Sequence, residues 1–144
     1  MADRLRVLIL CTGNSARSQM AEGLLRHMAG DRVEVASAGV APTRIRPEAI
    51  EVMKEIGIDI SHHRSKSTDE FITQAFDYVI TVCDNANQHC PMFAGPSRRI
   101  HWNIEDPAAV EGESQTRLNS FRAARNELSE RLCKFIQLEV DGME

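Results

Sequence analysis

Three of the four cysteines in this sequence stand where a reactive sulfur could work: Cys11, Cys83 and Cys90. Cys11 opens a Cys-x5-Arg segment that Arg17 closes. It directly follows the apolar run Val7-Leu8-Ile9-Leu10 and precedes a stretch in which Met20, Ala21, Leu24, Leu25 and Met28 share one helical stripe. The thiol is therefore expected between a strand end and a helix N-terminus, where unpaired amides and the helix dipole favour an anion. A loop of amides over Thr12, Gly13, Asn14, Ser15, Ala16 and Ser18, closed by the Arg17 guanidinium, suits a tetrahedral dianion. The same field favours the thiolate form of Cys11, with hydroxyls such as Ser18 able to donate to the sulfur. The spacing alone is weak, and its bland alternative is a cysteine buried at a strand end.

Cys83 also ends an apolar run, Tyr78 to Val82, and Cys90 follows it after the polar stretch Asp84, Asn85, Asn87 and Gln88. If residues 83–90 are helical, a seven-residue offset separates the two Cα atoms by about 10 Å, beyond the ~7 Å that a disulfide tolerates. The segment must unwind for the two sulfurs to bond, and its modest helix propensity makes this inexpensive. A hydrolase working through one thiolate has no use for two further thiols, whereas a reductase must dispose of oxidised sulfur. Asp106, ahead of Pro107, lies in the loop after a further apolar stretch, where Asp before Pro is an ordinary turn opener.

The elements that position these groups alternate. Arg6–Leu10, Val33–Ala38, Tyr78–Val82 and, more weakly, Ile100–Ile104 read as strands. Helices are expected from Ser18 toward Gly30, over Pro47–Ile56 with Ala49, Ile50, Met53 and Ile56 inward, and over Asp69–Ala75 capped by Asp69. A long closing helix is striped by Leu118, Phe121, Leu128, Leu132 and Phe135. This is the pattern of an α/β fold: a single domain over 1–144 with an open, mostly parallel four-stranded sheet and helices on both faces, whose ligands bind beyond the carboxyl ends of the strands. Cys11, Cys83 and Asp106 then face one crevice.

A chain of 144 residues with 42% hydrophobic and 26% charged side chains is expected to bury ~70% of its unfolded surface and to need no disulfide staples. A formal charge of −4 offers no global attraction for nucleic acid or an anionic membrane, so any anion must be held locally. No apolar run approaches the roughly 20 residues of a membrane span, and Asp3 argues against a leader segment. A cytoplasmic monomer with reduced thiols is expected.

The segment Cys11-Thr12-Gly13-Asn14-Ser15-Ala16-Arg17-Ser18-Gln19 resembles the signature loop of the low-molecular-weight protein tyrosine phosphatase fold, and Ser37-Ala38-Gly39 and Asp106-Pro107 fit it. Within that fold the chain is most similar to the thioredoxin-coupled arsenate reductases. That likeness rests on Ser18 through Gly23, on Thr81-Val82-Cys83 with Cys90-Pro91, and on His101-Trp102 ahead of Asp106-Pro107-Ala108. The resemblance implies arsenate as substrate, with phosphate or sulfate as oxyanion mimics. Cys11 would attack it, Arg17 would bind it, and Asp106 would protonate the departing oxygen. Cys83 would then release arsenite by forming a disulfide with Cys11. Cys90 would take over that bond as a Cys83–Cys90 disulfide, which reduced thioredoxin would reopen, with no bound cofactor.

Departures from the family pattern carry their own expectations. Ala16 replaces a second loop cysteine found in many relatives, so Cys11 would depend on Cys83 for repair. Some family members hold potassium behind the loop on Asn, Glu, Ser and Asp; here Asn14, Glu22 and Ser37 stand with Lys66 in the place of the acid, which implies a potassium-independent enzyme. Cys133 reads as a packing residue of the closing helix. His62, His63, His89 and His101 beside Cys83 and Cys90 lack zinc-site spacing, so no metal is expected. The alternative function is a phosphatase hydrolysing aryl phosphates through a Cys11 phosphoenzyme, weakened by Cys83, Cys90 and the Ala108-Ala109-Val110 that follows Asp-Pro. A thiol sensor of arsenite or metal, binding without turnover, is a third class.

Overall fold

A computed structural model describes residues 4–143; Asp3, which argues against a leader, lies outside them. Four strands, β1 (Leu5–Cys11), β2 (Val33–Gly39), β3 (Tyr78–Thr81) and β4 (Arg98–His101), form one all-parallel sheet in the order β2-β1-β3-β4. β1 is central, and Val7, Leu8, Ile9 and Leu10 are fully buried, as a strand covered on both faces must be. Helices α1 (Arg17–Ala29), α2 (Pro47–Lys54), α3 (Asp84–Gln88) and α4 (Ser114–Phe135) complete the frame.

Side-chain alternation assigns the two layers. Tyr78, the partner of Val7 in the β1–β3 register, packs edge-on against Phe135 of α4 at 5.1 Å. Arg6 therefore points the other way, and its guanidinium lies 4.8 Å from the Phe76 ring. α1 and α2 pack against α4 on the first face, and α3 packs on β1 and β3.

Several expected boundaries shift. β4 begins at Arg98 and ends at His101, although backbone bonds from the Trp102 and Ile104 amides to Thr81 and Val82 keep the chain alongside β3. The helix expected over Asp69–Ala75 is a 3-10 turn, Thr68–Phe71, capped by Ser67, whose hydroxyl accepts the Asp69 amide. α2 stops at Lys54 and Gly57 turns the chain with φ of 79°, which leaves Ile56 outside the helix and 42% exposed instead of inward. Cys133 does not pack either: it is exposed, because one helical step from the buried Leu132 turns about 100° around the axis. Among the described residues no helix is long and apolar enough to cross a membrane, and no three His, Cys, Asp or Glu side chains converge as a metal centre.

Candidate active site

The loop between β1 and α1 wraps its carbonyls outward. Those of Cys11, Thr12, Gly13 and Ser15 accept the amides of Val40, Ala41, Thr43 and Arg46, and the Asn14 carbonyl accepts the Ser65 hydroxyl. The amides of Gly13, Asn14, Ser15 and Ala16 donate to no protein acceptor among the described residues. No side chain caps the N-terminus of α1 and no acid stands in its first turn, so the dipole end is also open. Gly39 is required beside this loop: a Cβ there would meet the Thr12 carbonyl oxygen at 2.5 Å and the Asn14 nitrogen at 2.8 Å.

Cys11 is buried at the base, with Sγ 2.9 Å from Ser18 Oγ. Asn14 Nδ2 donates to that same hydroxyl at 2.7 Å, which leaves the Ser18 hydrogen for the sulfur. Asn14 holds a left-handed conformation, φ 49°, that its side chain secures on every side. Nδ2 also donates to Ser37 Oγ at 2.9 Å, while Oδ1 accepts Gln19 Nε2 and the Lys66 amide, each at 2.9 Å. Ser37 in turn donates to Glu22 Oε1 at 2.6 Å.

Glu22 is the buried charge under the loop. Burial pushes its carboxyl up, but the Ser37 hydroxyl and the Lys66, Arg26 and His63 charges more than compensate, so it stays below the ordinary carboxylate range. Lys66 Nζ lies 3.8 Å from Glu22 Oε1 and donates to the Arg64 carbonyl at 3.1 Å, so the ammonium stands beside the Glu22 carboxylate. Burial pulls the Lys66 ammonium down, offset in part by Glu22. His63 Nδ1 is 2.9 Å from Gln19 Oε1 and 3.7 Å from Glu22 Oε2, and burial lowers its pKa against the pull of Glu22. The roles of Gln19, His63 and Ser65 in this foundation were not legible; the i,i+4 spacing of Glu22 and Arg26, an ion pair at 2.8 Å, was a local signal.

Arg17 anchors at the far rim, donating from Nη1 to the Ile104 carbonyl at 2.9 Å with Nη2 3.8 Å from Asp106 Oδ2. The other Asp106 oxygen accepts the Ala108 amide at 3.0 Å, so one carboxylate both opens the turn at Pro107 and faces the guanidinium. Cys83 comes to the loop through Thr12, whose Oγ1 is 3.3 Å from Cys83 Sγ and accepts Asn85 Nδ2 at 3.0 Å. Cys83 is buried, and its sulfur accepts the Ala86 amide at 3.4 Å, capping α3. His101 bridges Thr81 Oγ1 at 2.8 Å and Asp84 Oδ1 at 2.9 Å, tying the start of α3 to the sheet. Cys90 lies past the helix, half-buried, its thiol directed at the Pro91 carbonyl at 3.6 Å. All four cysteines are free thiols.

Residues 6–141 match the family model for low molecular weight phosphotyrosine protein phosphatase. The arsenate reductase of Halalkalibacterium halodurans is 41% identical over 131 residues, 91% of this chain and 94% of the relative. A solved arsenate reductase in the phosphate binding state superposes with a TM-score of 0.75 at 32% identity, covering 92% of this chain and 97% of the other. The Corynebacterium glutamicum thioredoxin-dependent arsenate reductase gives 0.62 at 34% identity, over 92% of this chain and 64% of that one. A low molecular weight protein tyrosine phosphatase from T. tengcongensis gives 0.71 at 31%, over 92% and 98%. The chain belongs to the low molecular weight phosphotyrosine protein phosphatase family.

Proposed function

We propose that this protein reduces arsenate to arsenite through Cys11, Cys83 and Cys90, with a thioredoxin-like dithiol protein as reductant. The observation that carries the reading is the pairing of an open anion loop, four unspent amides with Cys11 and Arg17, with a second buried thiol, Cys83, in contact with the side chain next to Cys11.

The dianion is held by the Gly13 to Ala16 amides and Arg17. Cys11 Sγ forms a bond to arsenic and one oxygen leaves as water, its proton supplied by Asp106. The Cys83 thiolate then attacks Cys11 Sγ. The sulfur–arsenic bond breaks, its electron pair stays on arsenic, and arsenite departs as the Cys11–Cys83 disulfide forms. Cys90 attacks Cys83 Sγ, restoring Cys11 as the leaving thiolate and presenting a Cys83–Cys90 disulfide to the reductant. Ser18, its own oxygen occupied by Asn14, stabilises the Cys11 thiolate at the start and at the end of the cycle.

The test is NADPH consumption with thioredoxin, thioredoxin reductase and arsenate, with Cys90→Ser in parallel. Sustained turnover by the natural sequence that collapses in the variant supports the relay. No turnover, with fast hydrolysis of para-nitrophenyl phosphate that survives the substitution, overturns it in favour of a phosphatase.

A further inference from the structure

The relay reading leaves open what prepares Cys90, the one thiol of the three that lies far from the anion loop. Its hydrogen is directed at the Pro91 carbonyl, an acceptor that favours the neutral thiol. Arg99 Nη2 donates to the same carbonyl oxygen, at 2.8 Å, so guanidinium and sulfur share one acceptor. Alternation along β4 explains the aim: Arg98 points to the α4 face and pairs with Glu139 at 3.6 Å, whereas Arg99 and His101 point to the α3 face. Among the described residues Arg99 forms no ion pair with a carboxylate, so its charge is not neutralised. Other polar groups near this turn are occupied or set apart. His89 bonds through Nδ1 to the Asn85 carbonyl, and Asp69 stands across the groove that His89 and Pro91 line. Burial pushes the Cys90 thiol up, and Arg99 offsets part of that push.

We infer that Arg99 is a positioning residue for the last internal step: its guanidinium holds the Pro91 turn and stabilises the Cys90 thiolate that attacks Cys83. The inference rests on the proposed relay. In this step Cys90 gives its proton to solvent, its thiolate bonds to Cys83 Sγ, the Cys83–Cys11 bond breaks, and Cys11 leaves as thiolate. Arg99 takes no part in the bond changes; it sets how much of Cys90 is ionised when they occur.

Arg99→Gln and Arg99→Lys separate charge from structure, because the Gln amide can still donate to the Pro91 carbonyl while only Lys keeps the charge. The first readout is alkylation of Cys90 in the reduced full-length protein by iodoacetamide, resolved by peptide mass spectrometry across a pH series. Arg99→Gln is expected to raise the Cys90 midpoint by roughly half to one pH unit, Arg99→Lys to stay near the natural sequence, and Arg98→Gln to change nothing. The second is quenched single-turnover reduction of arsenate, in which the Cys11–Cys83 disulfide should persist about two- to fivefold longer in Arg99→Gln, less than the full loss of thiolate because a more basic thiolate is the better nucleophile. An Arg99→Gln protein with an unchanged Cys90 midpoint overturns the inference. Undiminished thioredoxin-coupled turnover by Cys90→Ser instead removes the relay, and Arg99's part with it; being read in a different variant, that result is distinguishable from the first.

Discussion

The loop with the four open amides and the segment that carries Cys83 and Cys90 are built in opposite ways. Beneath the loop, Asn14, Ser18, Gln19 and Ser37 are fully buried, and each bonds to at least one of the others or to Glu22. The segment from Cys83 to Met92 has a five-residue helix with most side chains exposed, tied by Asn85 to Thr12, by Asp84 to His101 and by Pro91 to Arg99. A tetrahedral anion needs donors fixed before it arrives, because reorganising them would consume the binding energy. A thiol relay needs the reverse, since Cys90 must travel to Cys83. A buried, bonded network and an exposed strip thus lie in neighbouring segments.

The sharpest way to break this comparison is to remove the moving thiol. Cys90→Ser should end sustained arsenate turnover, leaving about one arsenite per enzyme in a quenched assay, yet shift stability by less than about 0.5 kcal/mol in urea denaturation. A large loss of stability would mean that the segment is structural. Asn14→Ala should do the opposite, costing about 2–4 kcal/mol by stranding buried partners and forcing alanine into a left-handed conformation, with arsenate reduction and aryl phosphate hydrolysis falling together.

Acid should strike the foundation first. His63 has a pKa below its ordinary 6.5, so the unfolded chain binds its proton more readily, and the stability it contributes above 6.5 is lost as pH falls through that value toward the folded pKa. Glu22, lowered from 4.5, contributes above that pH and loses its contribution further down. Thermal melts over a pH series should show both windows, and His63→Gln should flatten only the upper one. The smallest expected effect concerns Lys66: with its ammonium beside Glu22, replacing sodium by potassium at constant ionic strength should leave both melting temperature and turnover unchanged.

The loop after β1 and its two flanking elements were legible because they are local: a continuous apolar run, a glycine-bearing turn and a helical stripe lie within 25 residues of each other. β4 was legible only in part, as the weaker strand Ile100–Ile104, because an edge strand half open to solvent, Arg98-Arg99-Ile100-His101, carries no apolar run. Ile104 drew the expected strand onward, being buried at 1% exposure although it lies past the strand. Gln19, His63 and Ser65 escaped because their partners are fixed by the path of the chain around the loop, more than 40 residues away for the His63 to Gln19 and Ser65 to Asn14 bonds. Composition has no means of showing such closure. For Asp106 the turn-opening reading is met by one oxygen, which accepts the Ala108 amide, while the other oxygen faces Arg17.

The contact between Cys83 Sγ and the Ala86 amide makes a fastening of the sulfur that the proposed relay uses as a reagent. In the proposed relay a bond to Cys11 would compete with that contact, and a lost N-cap ordinarily costs a helix about 0.5–2 kcal/mol. For a helix of five residues, too short to persist alone, that is a large share of what holds it. In the proposed relay, oxidation at Cys83 would thus unbutton the strip of chain that carries Cys90, and the order of the exchanges would follow from the fold without an outside signal.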